Sequence, residues 1–251
     1  MIVPQDITLK VERAEAHLAR QNFEVTEFLR IQNESIFCEP EDGGLRYVYR
    51  VGNPFPIPSH WAALIGDLLF NLRSALDHLA YALTPEPNER TEFPIFVNEE
   101  GPKGFIKRAP SKMPGVSPDV WNAVKDVQPY TRGDKRWLHP LSEIHELNRI
   151  DKHRLLLVAV VAVEQGTWGS PPGVPTPALT ILEAHDLTED NRIAVFTFPT
   201  PQAQVELNAK FALDVFLEAA VRVQAIRKQL DYFCYFIRER VIAERFAKFF
   251  T

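Results

Sequence analysis

Residues 137–163, WLHPLSEIHELNRIDKHRLLLVAVVAV, constrain the chain more than any other stretch. His145 to His153 reads HELNRIDKH, with Leu147 and Ile150 as its only aliphatic side chains. It runs straight into Leu155–Val163, where every side chain is apolar. A polar, histidine-rich segment fused to a buried one can hold a site rigidly on a core. The apolar run falls far short of the ~20 residues that a membrane helix needs. The segment closest in chemistry is Asp67–Tyr81, DLLFNLRSALDHLAY. The two segments are expected to face one another.

With 251 residues and 45% hydrophobic content, the chain can bury one sizeable core. A net charge of −5 means that any nucleic acid must meet a local basic patch. Cys38 and Cys234 are the only cysteines, and neither belongs to a CxxC pair. A thiolate zinc cage is therefore excluded, and a reducing cytosol suits both thiols. No signal peptide is evident at the N-terminus. The expected location is cytoplasmic, with no membrane partner.

Periodicity gives the elements. Ile7–Gln32 has helical spacing at Leu9, Val11, Ala14, Leu18 and Phe23. Residues 34–52 alternate around Asp42-Gly43, a hairpin signal. Ser59 is placed to cap a helix over Trp61–Leu83. EFPIF, residues 92–96, reads as a short edge strand, because Pro94 bars it from a central one. Residues 101–115 form a basic loop with Lys103, Lys107, Arg108 and Lys112, and PYTRGDKR forms a second. Ser117 and Pro118 open a short helix to Val127. The central helix starts at Pro140 and is expected to reach residue 163, although the β-branched tail Val158–Val163 also suits a strand. ALTILEAHDL, RIAVFTF and QVELN read as three strands, with His185 among them. Phe211–Phe250 reads as one helix, ~60 Å long at 1.5 Å per residue. A helix of that length predicts a homodimer packed through it.

The expected fold is α+β, one domain over residues 1–251. A helical bundle core (7–32, 60–84, 140–163, 211–250) with a long C-terminal helix carries a small antiparallel β-sheet from 34–52 and 178–208. Within Trp61–Leu83, the residues Asp67, Asn71, Ser74, His78 and Tyr81 form one polar stripe with no Lys or Glu. This composition predicts a cleft rather than a solvent face. Arg73 and Asp77, four apart, are expected to pair on its flank. His145, Asn148, Asp151 and His153 would supply the opposite wall.

Arg73-Ser-Ala-Leu-Asp-His78 fits R-x4-H, with Asn71 two residues before the arginine. The motif resembles the signature of the HEPN superfamily, whose members are helical bundles, often dimeric and often RNA-cutting toxins or defence proteins. The resemblance implies that the His and Arg of two protomers meet in a composite, metal-independent endoribonuclease site. His78 would then move the proton at the ribose 2′-hydroxyl and Arg73 would stabilise charge on the phosphate, with Asn71 beside them. RNA or nucleotide is the partner so implied, and no cofactor is expected. Five residues of regular helix separate Arg73 and His78 by about 140°, so a shared site calls for a distortion or a second chain.

Two alternatives also draw on these residues, the first ahead of the second. In one, Asp67, Asn71, His78, Asn148, Asp151 and His153 form a buried hydrogen-bond network in a non-catalytic dimeric interaction or regulatory module. In the other, Asp67, His78, His145, Glu146, Asp151 and His153 supply metal ligands from facing helices. HELNRIDKH lacks the second His of H-E-x-x-H, and Glu-x-x-His does not occur. Phosphate-binding glycine loops and the G-x-S-x-G elbow are missing as well.

Overall fold

A computed structural model describes residues 2–153, 158–167, 172–182, 187–202, 205, 207, 209–217 and 225–250. Helix α1 (Gln5–Glu34) leads into a hairpin of β1 (Ile36–Glu41) and β2 (Arg46–Val51). Helices α2 (His60–Leu83), α3 (Phe105–Arg108), α4 (Pro118–Asp126) and α5 (Pro140–Asp151) follow. Strands β3 (Val158–Thr167), β4 (Ala178–Ile181), β5 (Arg192–Thr197) and β6 (Lys210–Leu217) come next. The chain closes with α6 (Ile226–Tyr235), which continues as π-wound Phe236–Phe246 and a final turn, Ala247–Phe249. The class is α+β, as the patterning predicts.

One antiparallel sheet has the order β1-β2-β5-β4, and β3 pairs with β6 separately. The hairpin register runs from Ile36 opposite Val51 to Glu41 opposite Arg46, with Asp42-Gly43 at the turn. Tyr49 packs edge-on against Phe196 and Phe211, which ties the larger sheet to β6. Helices α1 and α2 run antiparallel, with Asp6 beside His78 and Glu24 beside His60. Ile7, Val11, Ala14, Leu18 and Val25 of α1 are buried, as are Ile65, Leu68, Leu72 and Leu79 of α2. These residues recur at helical spacing and fill the centre of the core. Helix α6 lies antiparallel on another flank of α1. Arg238 pairs with Glu15, Asn22 donates to Asp231 at 3.4 Å, and Arg227 donates to Thr26 at 3.3 Å. Among the described residues no helix is long and apolar enough to cross a membrane.

Four expectations need correction. The central helix ends at Asp151 instead of reaching 163, because the β-branched run joins β3 and finds its ladder on β6. The helix expected over 211–250 begins only at Ile226. In β6, Leu213, Val215 and Leu217 are buried at a spacing of two, so the period is that of a strand. The described residues of QVELN, Val205 and Leu207, are not in a strand. Tyrosine hydroxyls serve their backbone instead: the Val205 amide donates to Tyr47 Oη at 3.0 Å, and Tyr49 Oη donates to the Leu207 carbonyl at 2.9 Å. Ser59 precedes α2 but makes no capping bond, and the helix start is held by Glu24, which binds His60 and Trp61.

Other signals hold. Ser117 Oγ accepts from the Val120 amide at 3.3 Å at the start of α4. Pro140 opens α5, where His139 Nδ1 accepts from the Leu141 amide at 3.2 Å. His185 lies outside the described residues.

Candidate functional site

Helices α2 and α5 do meet, and of the polar stripe Asp67 is the residue whose charge reaches α5, at Asp151. Gly66 lies against Asp151: a Cβ at Gly66 would come within 2.5 Å of both carboxylate oxygens. Burial raises the pKa of Asp151, and the charge of Asp67 adds to the effect. His145 feels Arg73, and Asp77 feels Lys152, so Gly66, Arg73 and Asp77 form the α2 side of this contact.

The stripe residues are dispersed. Asp67 and Tyr81 are exposed, and Ser74 is half-buried. Asn71 is buried and donates to the Asp67 carbonyl of its own helix at 2.7 Å. His78 turns to α1, where Nδ1 lies 2.7 Å from Asp6 Oδ2 and its side chain is 37% exposed. On α5, Asn148 is buried and His153 is exposed. Among the described residues, the partners of Asn71 and His78 are the Asp67 carbonyl and Asp6, not the α5 residues. Asn71, Ser74 and His78 share one face of α2, and α1 occupies the side that His78 faces.

Arg73 is 7% exposed and takes a structural role that its spacing did not reveal. Its Nη2 donates to Asp77 at 2.7 Å and to the Phe93 carbonyl at 2.9 Å, with Glu92 at 3.4 Å. Asp77 also accepts from the Phe93 amide at 2.9 Å. The expected Arg73–Asp77 pair thus exists, but it clamps the 92–96 segment onto α2 from within. Gln128, fully buried, completes the clamp. It donates to the Pro94 carbonyl at 2.8 Å and to the Val124 carbonyl at 3.1 Å, and accepts from the Phe96 amide at 3.0 Å. EFPIF, expected as an edge strand, is accordingly not in a ladder: side chains bond the Phe93 amide and carbonyl, the Pro94 carbonyl and the Phe96 amide. Residues Asp6, Glu92 and Gln128 carry no local sequence signal for these roles, because the partners they reach across the fold lie 19 to 72 positions away.

Electrostatics follow this geometry. Burial raises the pKa of Asp77 despite the Arg73 guanidinium and the Phe93 amide beside it. Burial works the same way on Glu92, but the Lys112 ammonium, with Arg73 behind it, outweighs that effect and holds its pKa below the ordinary carboxylate value. His145 is pushed below 6.5 by desolvation and by Arg73.

Beside this clamp lies an open groove of about 800 Å³. Asn88, Arg90 and Thr91 line one wall, and Arg108, Ser111 and Lys112 the other. The Glu92 amide donates to the Lys112 carbonyl at 3.3 Å, and the two side chains pair, which stitches the walls together. Glu89 and Glu92 also border the groove. Arg90 and Arg108 are exposed and have no ion-pair partner among the described residues. Arg108 and Lys112 come from the first basic loop; Arg90 comes from the loop after α2. Among the described residues no three His, Cys, Asp or Glu side chains converge as metal ligands. The six candidate metal ligands lie on α2, on α5 and in the turn just after α5, and no three of them converge.

The chain matches no protein-family model, no curated protein and no solved structure.

Proposed function

We propose that the chain binds RNA or nucleotide, with phosphates seated in the groove between residues 88–92 and 108–114. The observation that carries this reading is the pair of exposed guanidiniums, Arg90 and Arg108, brought from two separate segments to line one groove rich in small polar groups. Arginine suits phosphate because its planar fork donates two parallel hydrogen bonds. Lys112, held by Glu92, fixes the far wall rather than serving as a free cation. The network around Arg73 then serves as scaffold, in the sense of the non-catalytic module. The cytoplasm is the proposed location, since an exposed Cys38 and a buried Cys234, both free, suit a reducing compartment.

Fluorescence anisotropy with a labelled single-stranded RNA tests this reading. Arg90→Ala with Arg108→Ala should weaken binding at least tenfold. The dependence of log K on log salt should flatten by about 1.4, or ~0.7 for each phosphate that is no longer neutralised. Unchanged affinity and slope would overturn it.

A second reading, HEPN-like cleavage, is favoured by one contact. Asp6 holds Nδ1 of His78, an arrangement that orients an imidazole and leaves Nε2 for proton transfer. Arg73 is buried and engaged, so the phosphate-stabilising cation would be a residue other than Arg73. RNA cleavage abolished by His78→Ala supports this reading, and wild-type protein inert toward RNA removes it.

A further inference from the structure

We propose that Trp137 is a stacking platform for a base of single-stranded RNA, presented by the second basic loop; this rests on the RNA-binding reading of the groove. Trp137 is 52% exposed, whereas Trp61 is buried in the core. It sits in the short-pitched Pro129–Leu138 turn, among Arg132, Lys135 and Arg136. Arg132 and Lys135 are exposed, and Asp134 is the one acidic residue between them. An indole with a free face beside two or more exposed cations matches the chemistry of unpaired nucleotides: bases stack on the ring while the backbone meets the cations. A duplex offers its bases already stacked and has no face to give.

The loop is built to hold the ring in place. Gly133 adopts φ 55° and ψ −124°, a conformation that side-chain-bearing residues avoid, and so reverses the chain. Arg132 Nη1 then donates to the Leu138 carbonyl at 3.3 Å and closes the loop. On the side before Trp137, Thr131 Oγ1 donates to the carbonyl of buried Gln128 at 2.7 Å. On the side after it, His139 is buried with its ring 5.3 Å from Phe236. Tyr130 packs on Phe105 at 5.5 Å, and Phe105 opens α3, the helix whose last residue, Arg108, lines the groove. The platform and the groove wall thus share one anchor. An ordered loop that leaves its largest apolar ring in water binds a partner with little further loss of entropy.

Three probes decide the matter: a single-stranded RNA 12-mer, tripolyphosphate, and vesicles rich in an anionic phospholipid. Each is titrated against wild type, Trp137→Ala, Trp137→Phe and the Arg90→Ala/Arg108→Ala pair. The expected result is a drop of about tenfold in RNA affinity for Trp137→Ala, in line with the loss of one stacked base. Trp137→Phe should regain most of that loss, and tripolyphosphate binding should not change in either variant. RNA should also quench wild-type tryptophan emission more than that of Trp137→Phe. If Trp137→Ala binds RNA as wild type does, the platform is overturned while the groove stands. If neither RNA nor tripolyphosphate binds wild type, the groove reading falls and the platform with it. Vesicle binding that depends on Trp137, with RNA binding that does not, would assign the loop to a membrane surface and overturn the proposal.

Discussion

The carboxylate of Asp151 lies against the backbone of Gly66, so the end of α5 docks on α2 at a point where no side chain fits. Glycine inside a helix normally costs about 1 kcal/mol relative to alanine. Gly66→Ala should therefore stabilise the chain unless Asp151 is in the way. In wild type the substitution is expected to be neutral or destabilising by about 1 kcal/mol. In an Asp151→Ala background the same change should stabilise by about 1 kcal/mol. Urea titrations of the four proteins measure the coupling, and additive effects would show that the contact is not formed.

Arg73→Ala leaves the Asp77 carboxylate and the Phe93 carbonyl without their shared donor. The expected cost is roughly 2–4 kcal/mol, read as a fall in Tm with the 92–96 segment becoming protease-sensitive. Arg73→Lys should recover part of the loss, because every contact of Arg73 is made by one nitrogen, Nη2, which an ammonium with three donors can partly replace. RNA binding at saturating folded protein should persist in Arg73→Ala, since Arg73 does not line the groove. Loss of binding without loss of stability would point instead to Arg73 as a ligand-contacting group.

What the sequence made legible follows from the range of each interaction. Val11, Ala14 and Leu18 fix α1 through their period, and Asp42-Gly43 fixes the hairpin through turn chemistry, both local effects. The largely apolar stretches at 158–163 and 211–217 carry no decisive period, since a short buried strand and a buried helical turn look alike in sequence. Their identity came from pairing with each other. The same limit applied at the site. Arg73 and Asp77 were readable as a pair because they are four apart on one helix, but their common partner, Phe93, belongs to tertiary structure. The basic loops were visible as charge, whereas the groove that Arg108 and Arg90 line together was not.

The homodimer proposed through the C-terminal helix has a defined remaining face. The inner side of α6 is taken by α1 through Arg238–Glu15 and Asn22–Asp231, while Tyr232 and Tyr235 stay exposed outside. Analytical ultracentrifugation across a hundredfold concentration range should show a dimer. Tyr235→Lys, with Tyr232→Lys, should shift it to monomer without a loss of helicity, because neither ring belongs to the core. A wild-type monomer at all concentrations would remove the dimer and, with it, any composite site.

Glu24 predicts a pH dependence with a definite sign. It sits between helices, accepting from Arg20 at 2.8 Å and Trp61 at 2.8 Å, with His60 Nε2 at 2.5 Å. Burial opposes its charge, yet these three groups overcome that and bring its pKa down to about 2 from 4.5. A carboxylate whose folded pKa is depressed stabilises the fold above its unfolded pKa and loses that stabilisation as pH falls toward the folded value. Glu24→Gln should therefore be less stable than wild type at pH 7, by about 1–2 kcal/mol. The difference should shrink between pH 4.5 and about 2 as wild-type Glu24 takes up its proton. Thermal melts of both proteins across that range give the comparison. A gap that stays constant with pH would mean that shape, not charge, holds the start of α2 to α1.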